Sequence, residues 1–80
     1  MKYIVLENPS GLEFPIIFPS FIEHSAMLQY TKGLCKAISA GECKIVLDKM
    51  RCFGRSVSLN LESRYEIDEN LLNRELVDYF

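Results

Sequence analysis

Hydrophobic positions run together, alternate, or recur every fourth residue in separate stretches of the chain, and each pattern predicts an element. Lys2 to Leu6 is rich in β-branched and aromatic residues, with Tyr3 and Val5 on one side and Ile4 and Leu6 on the other. A strand apolar on both sides belongs inside a sheet. Asn8-Pro9-Ser10-Gly11 follows, with proline second and glycine fourth, as a type I turn requires. Leu12 to Phe18 then alternates and places Leu12, Phe14, Ile16 and Phe18 on one face. Pro15 has no N–H, so this second strand belongs at an edge, in a hairpin with the first.

Ser20-Phe21-Ile22-Glu23 has the spacing of a capping box, and Ile22, Ala26 and Tyr30 recur at helical spacing with Met27 and Leu34 beside them. These features predict a helix over about 21–32, with Lys32 in its last turn and Gly33 as its stop. Ile38-Ser39-Ala40-Gly41 has two readings, a turn or a strand entry with a bulge. Cys43 to Leu47, Met50 to Phe53 and Ser56 to Leu61 read as three strands joined by the two-residue loops Asp48-Lys49 and Gly54-Arg55. That register aligns Leu47, Met50 and Leu59, and next to them Ile45, Cys52 and Val57, as one apolar face. The opposite face carries Val46, Arg51 and Ser58, and Lys44, Phe53 and Ser56. Glu66 to Phe80 reads as a second helix, with Leu72, Leu76, Tyr79 and Phe80 on one side and Glu66, Asp68 and Glu69 in its first turn.

The expected fold is a single α+β domain over residues 1–80. An antiparallel sheet, made of an N-terminal hairpin and a C-terminal three-strand meander, carries both helices on one face in the order ββαβββα. Hydrophobic residues make up 49% of the chain and charged residues 25%, which is ordinary for a globular domain. The longest low-charge stretch, Phe14 to Ile22, is interrupted by Pro15 and Pro19 and is too short to span a bilayer. The apolar run after Lys2 ends at Glu7, short of a signal peptide, so the expected location is cytoplasmic and away from membranes.

Candidate chemistry narrows the function classes. Cys35, Cys43 and Cys52 are odd in number, include no Cys-x-x-Cys pair, and have no histidine at finger spacing, which argues against a zinc site. The meander register sets Cys43 diagonal to Cys52, roughly 7–8 Å away, so the thiols read as reduced. His24 falls on the first helix, apart from the cysteines, so no Cys–His couple is expected. The glycines are isolated, so no phosphate loop is present. The chain is therefore expected to be a non-enzyme without a cofactor or metal.

Charge is segregated although the net value is only −2. Lys44, Lys49, Arg51 and Arg55 oppose Asp48 alone in residues 44–55, while residues 66–80 hold five acids against Arg74. Lys44, Lys49, Arg51, Phe53 and Arg55 form the candidate partner-binding surface, suited to an acidic protein. The acidic balance of the whole chain weighs against nucleic acid as the partner. Phe14, Phe18 and Phe21, with Ile16, form a second candidate surface, for a homodimer contact.

The segments Phe18-Pro19, Ile38 to Gly41, Arg51 to Leu59 and Ser63-Arg64 together resemble the short accessory proteins encoded in tailed-phage and prophage genomes. The resemblance implies a protein that binds a phage or host protein, including inhibition of a bacterial defence system, and it implies no catalytic residues.

Overall fold

Strand β1 (Lys2–Glu7) takes the inner position that its two apolar sides require, and Tyr3, Ile4, Val5 and Leu6 are all fully buried. The computed structural model describes residues 1–76; the helical face expected at Tyr79 and Phe80 lies outside the described residues, as does the side chain of Leu76. Antiparallel to β1 on one side runs β2 (Glu13–Phe18), in register from Lys2 opposite Phe18 to Glu7 opposite Glu13. The turn between them is held by Asn8, whose Oδ1 accepts from the N–H groups of Ser10 and Leu12 at 3.0 Å each, while Gly11 N–H donates to the Asn8 carbonyl. On its other side β1 meets β3 (Lys36–Val46), which in turn pairs with β4 (Lys49–Phe53), giving the sheet order β2-β1-β3-β4.

Pro15 sits where the edge tolerates it. Cys43 N–H donates to the Met1 carbonyl at 2.8 Å, so the odd residues of β1 bond toward β3 and the even residues toward β2. Pro15, opposite Val5, therefore directs its missing N–H away from the sheet. β3 resolves the uncertain segment as a strand with a bulge. Val5 faces Ser39 and Leu6 faces Ala37, leaving Ile38 as the extra residue.

The first helix is shorter than its sequence pattern suggests. α1 (His24–Gln29) starts after Glu23, which makes no side-chain capping bond, and the expected capping box of Ser20 and Glu23 does not form. The Ile22 N–H instead closes a turn onto the Pro19 carbonyl, and Lys2 Nζ holds the Ile22 carbonyl at 2.9 Å. The inward side of α1 is His24, Met27 and Leu28, whereas Ala26 and Tyr30 face solvent.

The β3–β4 hairpin keeps the expected faces but shifts register by two residues. Cys43 stands opposite Cys52, Lys44 opposite Arg51 and Ile45 opposite Met50. Its loop is Leu47-Asp48, both at positive φ (51° and 65°), the combination of a type I′ turn. A left-handed leucine is disfavoured by its Cβ, which is why the sequence alone points to a loop one residue later. The expected third strand of the meander does not join this sheet. Arg55–Ser56 (β5) pairs instead with Leu61–Glu62 (β6) as a separate two-stranded ribbon. The intervening residues turn because Ser56 Oγ accepts from Leu59 N–H and Asn60 N–H donates to the Val57 carbonyl.

The class is α+β as expected, but the two helices lie on opposite faces rather than on one. Helix α2 (Tyr65–Leu76) sets Leu71 and Leu72 against Tyr3, Val5, Cys43, Met50 and Cys52. Ile22 and α1, with Leu59 and Leu61 of the ribbon segment, cover Ile4, Leu6, Phe18 and Ala40 on the other side. The physical reason lies in β1, whose two apolar sides each need a cover.

Candidate interaction surface

Alternation along β3 and β4 sends Cys43, Met50 and Cys52 beneath α2 and sends Glu42, Lys44, Val46, Lys49, Arg51 and Phe53 to the other side. The residues covering that other side are packed on β1, β2 and the first half of β3. Beyond Gly41 neither hydrophobic cluster of the described residues covers this face, and Glu42, Lys44, Lys49, Arg51 and Phe53 are exposed. The structure thus assembles four of the five residues proposed for partner binding on one two-stranded face. Arg55 lies past Gly54, where its Nη2 donates to Asn60 Oδ1 at 2.9 Å, and it helps line a neighbouring cavity of about 380 Å³ with Lys2, His24, Glu42 and Ser58.

Two cations directly opposite each other repel, and the pair of Lys44 and Arg51 is relieved in two ways. Lys44 Nζ lies 5.5 Å from the centre of the Phe53 ring, an attractive cation–π placement. Arg51 reaches round the sheet edge, and its Nη1 meets Glu69 Oε1 at 3.2 Å. Phe53 is 43% exposed, so an apolar plate with a cation above it stands ready for contact.

The β4 edge behind this surface is closed by side chains of α2. Asn73 Oδ1 accepts from Met50 N–H at 2.8 Å, Asn73 Nδ2 donates to the Met50 carbonyl at 3.3 Å, and Glu69 Oε2 accepts from Cys52 N–H at 2.9 Å. Residues four apart on a helix thus imitate a neighbouring strand and occupy the groups that would otherwise pair with another chain. Gly41 permits the close approach at the root of the hairpin, since a Cβ there would lie 2.5 Å from the Phe53 carbonyl oxygen. The start of α2 is pinned by Asp68, fully buried, which accepts from the Tyr3 hydroxyl and from the Arg64 backbone N–H and Nε. Arg64 continues to Glu13 at 2.8 Å, tying α2 to β2. Burial first, and then the Asp68 hydrogen bond, hold the Tyr3 hydroxyl well above the ordinary tyrosine range, so it remains a donor.

The phenylalanine group does not form one surface. Phe18 is buried, stacked edge-on against His24 with ring centres 5.3 Å apart, and Phe14 is half-buried in the same cluster. Phe21 alone of the three is open, at 86% exposure. The correction follows from the cover on the α1 side, which needs Phe14 and Phe18 as core. His24 is itself buried and its Nε2 donates to the Gly41 carbonyl at 2.9 Å, while Cys43 and Cys52 lie across the sheet from it. No helix among the described residues is long and apolar enough to cross a membrane. Comparison with family models, curated proteins and solved structures finds no match for this chain.

What sequence reasoning missed is the support for the surface. Asn73, Glu69 and Asp68 act over long sequence separations, and only the acidic start of the helix signals any of them.

Proposed function

We propose that the chain is a non-enzymatic protein-binding module whose contact surface is the outer face of the β3–β4 hairpin, and that it serves as a phage or prophage accessory protein acting on a bacterial host protein. The observation that supports this most is the bare basic face, Lys44, Lys49, Arg51 and Phe53, on a sheet whose opposite face is closed by α2. Its chemistry suits an acidic partner surface with an apolar element to meet Phe53. Glu42 at one end supplies an opposite charge that would orient the partner.

The test is capture from nuclease-treated bacterial lysate by three forms of the chain: wild type, Lys44→Glu with Lys49→Glu, and Lys32→Glu with Lys36→Glu. A stoichiometric protein retained by the wild type and the Lys32/Lys36 form, and lost from the Lys44/Lys49 form, supports the reading. Equal retention by all three overturns it. Capture seen only from a parallel lysate left without nuclease, with steep salt dependence, would replace it with nucleic-acid binding.

A further inference from the structure

We propose that Cys43 and Cys52 are a redox-active cross-strand dithiol that oxidises to one intramolecular disulfide, leaving Cys35 free. The two residues are direct partners in the β3–β4 register. Cys43 N–H donates outward to the Met1 carbonyl, and Cys52 N–H donates outward to Glu69. Neither bonds across the hairpin, so the two occupy a non-hydrogen-bonded pair, where Cα atoms stand about 4.5 Å apart and side chains approach most closely. That separation falls within the span a disulfide bridges. Both side chains point to the same face, beneath Leu71 and Leu72, and both are free thiols here. Cys35 belongs to the cluster on the opposite side of the sheet, which keeps it out of reach.

The chemistry balances with a small-molecule disulfide as oxidant. One protein thiol loses its proton and its sulfur attacks the oxidant, forming a mixed disulfide and releasing one carrier thiol. The second protein thiol, on losing its proton, attacks the protein sulfur of that mixed disulfide and releases the second carrier thiol. The protein gives up two electrons and two protons, and the oxidant leaves as two thiols. The reaction is slow near neutrality because burial raises the Cys43 thiol to about 11 and the Cys52 thiol to about 12. Glu42 adds to the rise at Cys43, Asp68 and Glu69 from α2 add to it at Cys52, and the Met1 α-amino group works the other way at Cys43. Tyr3, beside them on β1, stays protonated. The bond joins β3 to β4 next to the Lys44–Arg51 pair and so locks the hairpin register. The inference depends on that register and not on what the outer face binds.

The experiment exposes the folded full chain to oxidised glutathione at mildly alkaline pH, alkylates it in denaturant without reduction, and maps tryptic peptides. The sequence places the cysteines on separate peptides, Ala37–Lys44 and Cys52–Arg55. The expected result is an intact mass lower by two hydrogens before alkylation, a linked pair of those two peptides, and alkylation at Cys35 alone. Cys35→Ser should oxidise in the same way. Full alkylation of all three cysteines, a disulfide involving Cys35, or a glutathione adduct that persists on Cys43 or Cys52 would overturn the proposal.

Discussion

The two faces of the β3–β4 hairpin are made by alternate residues of the same strands, yet they do opposite work. Beneath α2, Cys43, Met50 and Cys52 keep 4% or less of their surface exposed. On the other side, Lys44, Lys49 and Arg51 are exposed, and no helix or ribbon among the described residues is packed over them. The inner face thins toward the tip, where Ile45 is 46% and Leu47 92% exposed. The difference divides one element: the inner face and the capped β4 edge hold the hairpin in place, while the outer face is tied to the rest of the chain only through the Arg51–Glu69 ion pair among the described residues.

That contrast can be broken most strongly from the inside. Met50→Ala removes a fully buried side chain from the α2 cluster and should cost about 2–5 kcal/mol, read as a lower urea midpoint. Lys49→Ala, its neighbour on the outer face, should stay within about 0.5 kcal/mol of wild type. Equal costs would show that both faces are packed.

Alkaline pH attacks the same inner face. Cys43 and Cys52 hold their protons in the folded chain up to about 11 and about 12, whereas an unfolded thiol ionises near about 8.5. Between those limits the unfolded state has released protons that the folded state retains, so stability falls as pH rises. Each thiol should contribute about 1.4 kcal/mol of loss per pH unit in that window, measured by urea unfolding under reducing conditions. Below the unfolded value the contribution is fully present. Cys52→Ala should flatten the slope, whatever its effect on absolute stability.

Opening the edge is a smaller perturbation with a distinct signature. Asn73→Ala leaves the Met50 N–H and carbonyl without their partner and should cost on the order of 1 kcal/mol. It should also make the chain associate as concentration rises, because an uncovered edge strand pairs with its like. Light scattering over a concentration series reads this directly.

Much of this arrangement was legible in the chain and some was not. The inner position of β1 followed from its two apolar sides, and the edge position of β2 from Pro15. The placement of both helices on one face did not hold, because each apolar side of β1 takes its own cover and amphipathic patterns in the helices do not say which side each will cover. The hairpin faces were correct because a shift of two residues preserves alternation. The register itself was not legible, because it depends on a left-handed Leu47 and on Met50 and Cys52 being held by Asn73 and Glu69. Ser56 to Leu61 read as a strand from its alternation, but serine and asparagine hydrogen bonds turned it into a ribbon. Lys44, Lys49, Arg51 and Phe53 share one face because alternate residues of paired hairpin strands remain neighbours in space, with Lys49 in β4 rather than in the turn. The phenylalanine group failed because its members diverge after Phe18.

The smallest expected effect on stability is at the outer face, where Lys44→Glu with Lys49→Glu should change the unfolding free energy by less than about 0.5 kcal/mol while abolishing partner capture. The most direct measurement is a lysine-reactivity footprint of the chain alone and in complex with its captured partner. Lys44 and Lys49 should lose reactivity in the complex, while Lys32 and Lys36, both exposed and remote from that face, stay as reactive as in the free chain. Protection of Lys32 and Lys36, with Lys44 and Lys49 unchanged, would contradict the assignment of the hairpin's outer face as the binding surface.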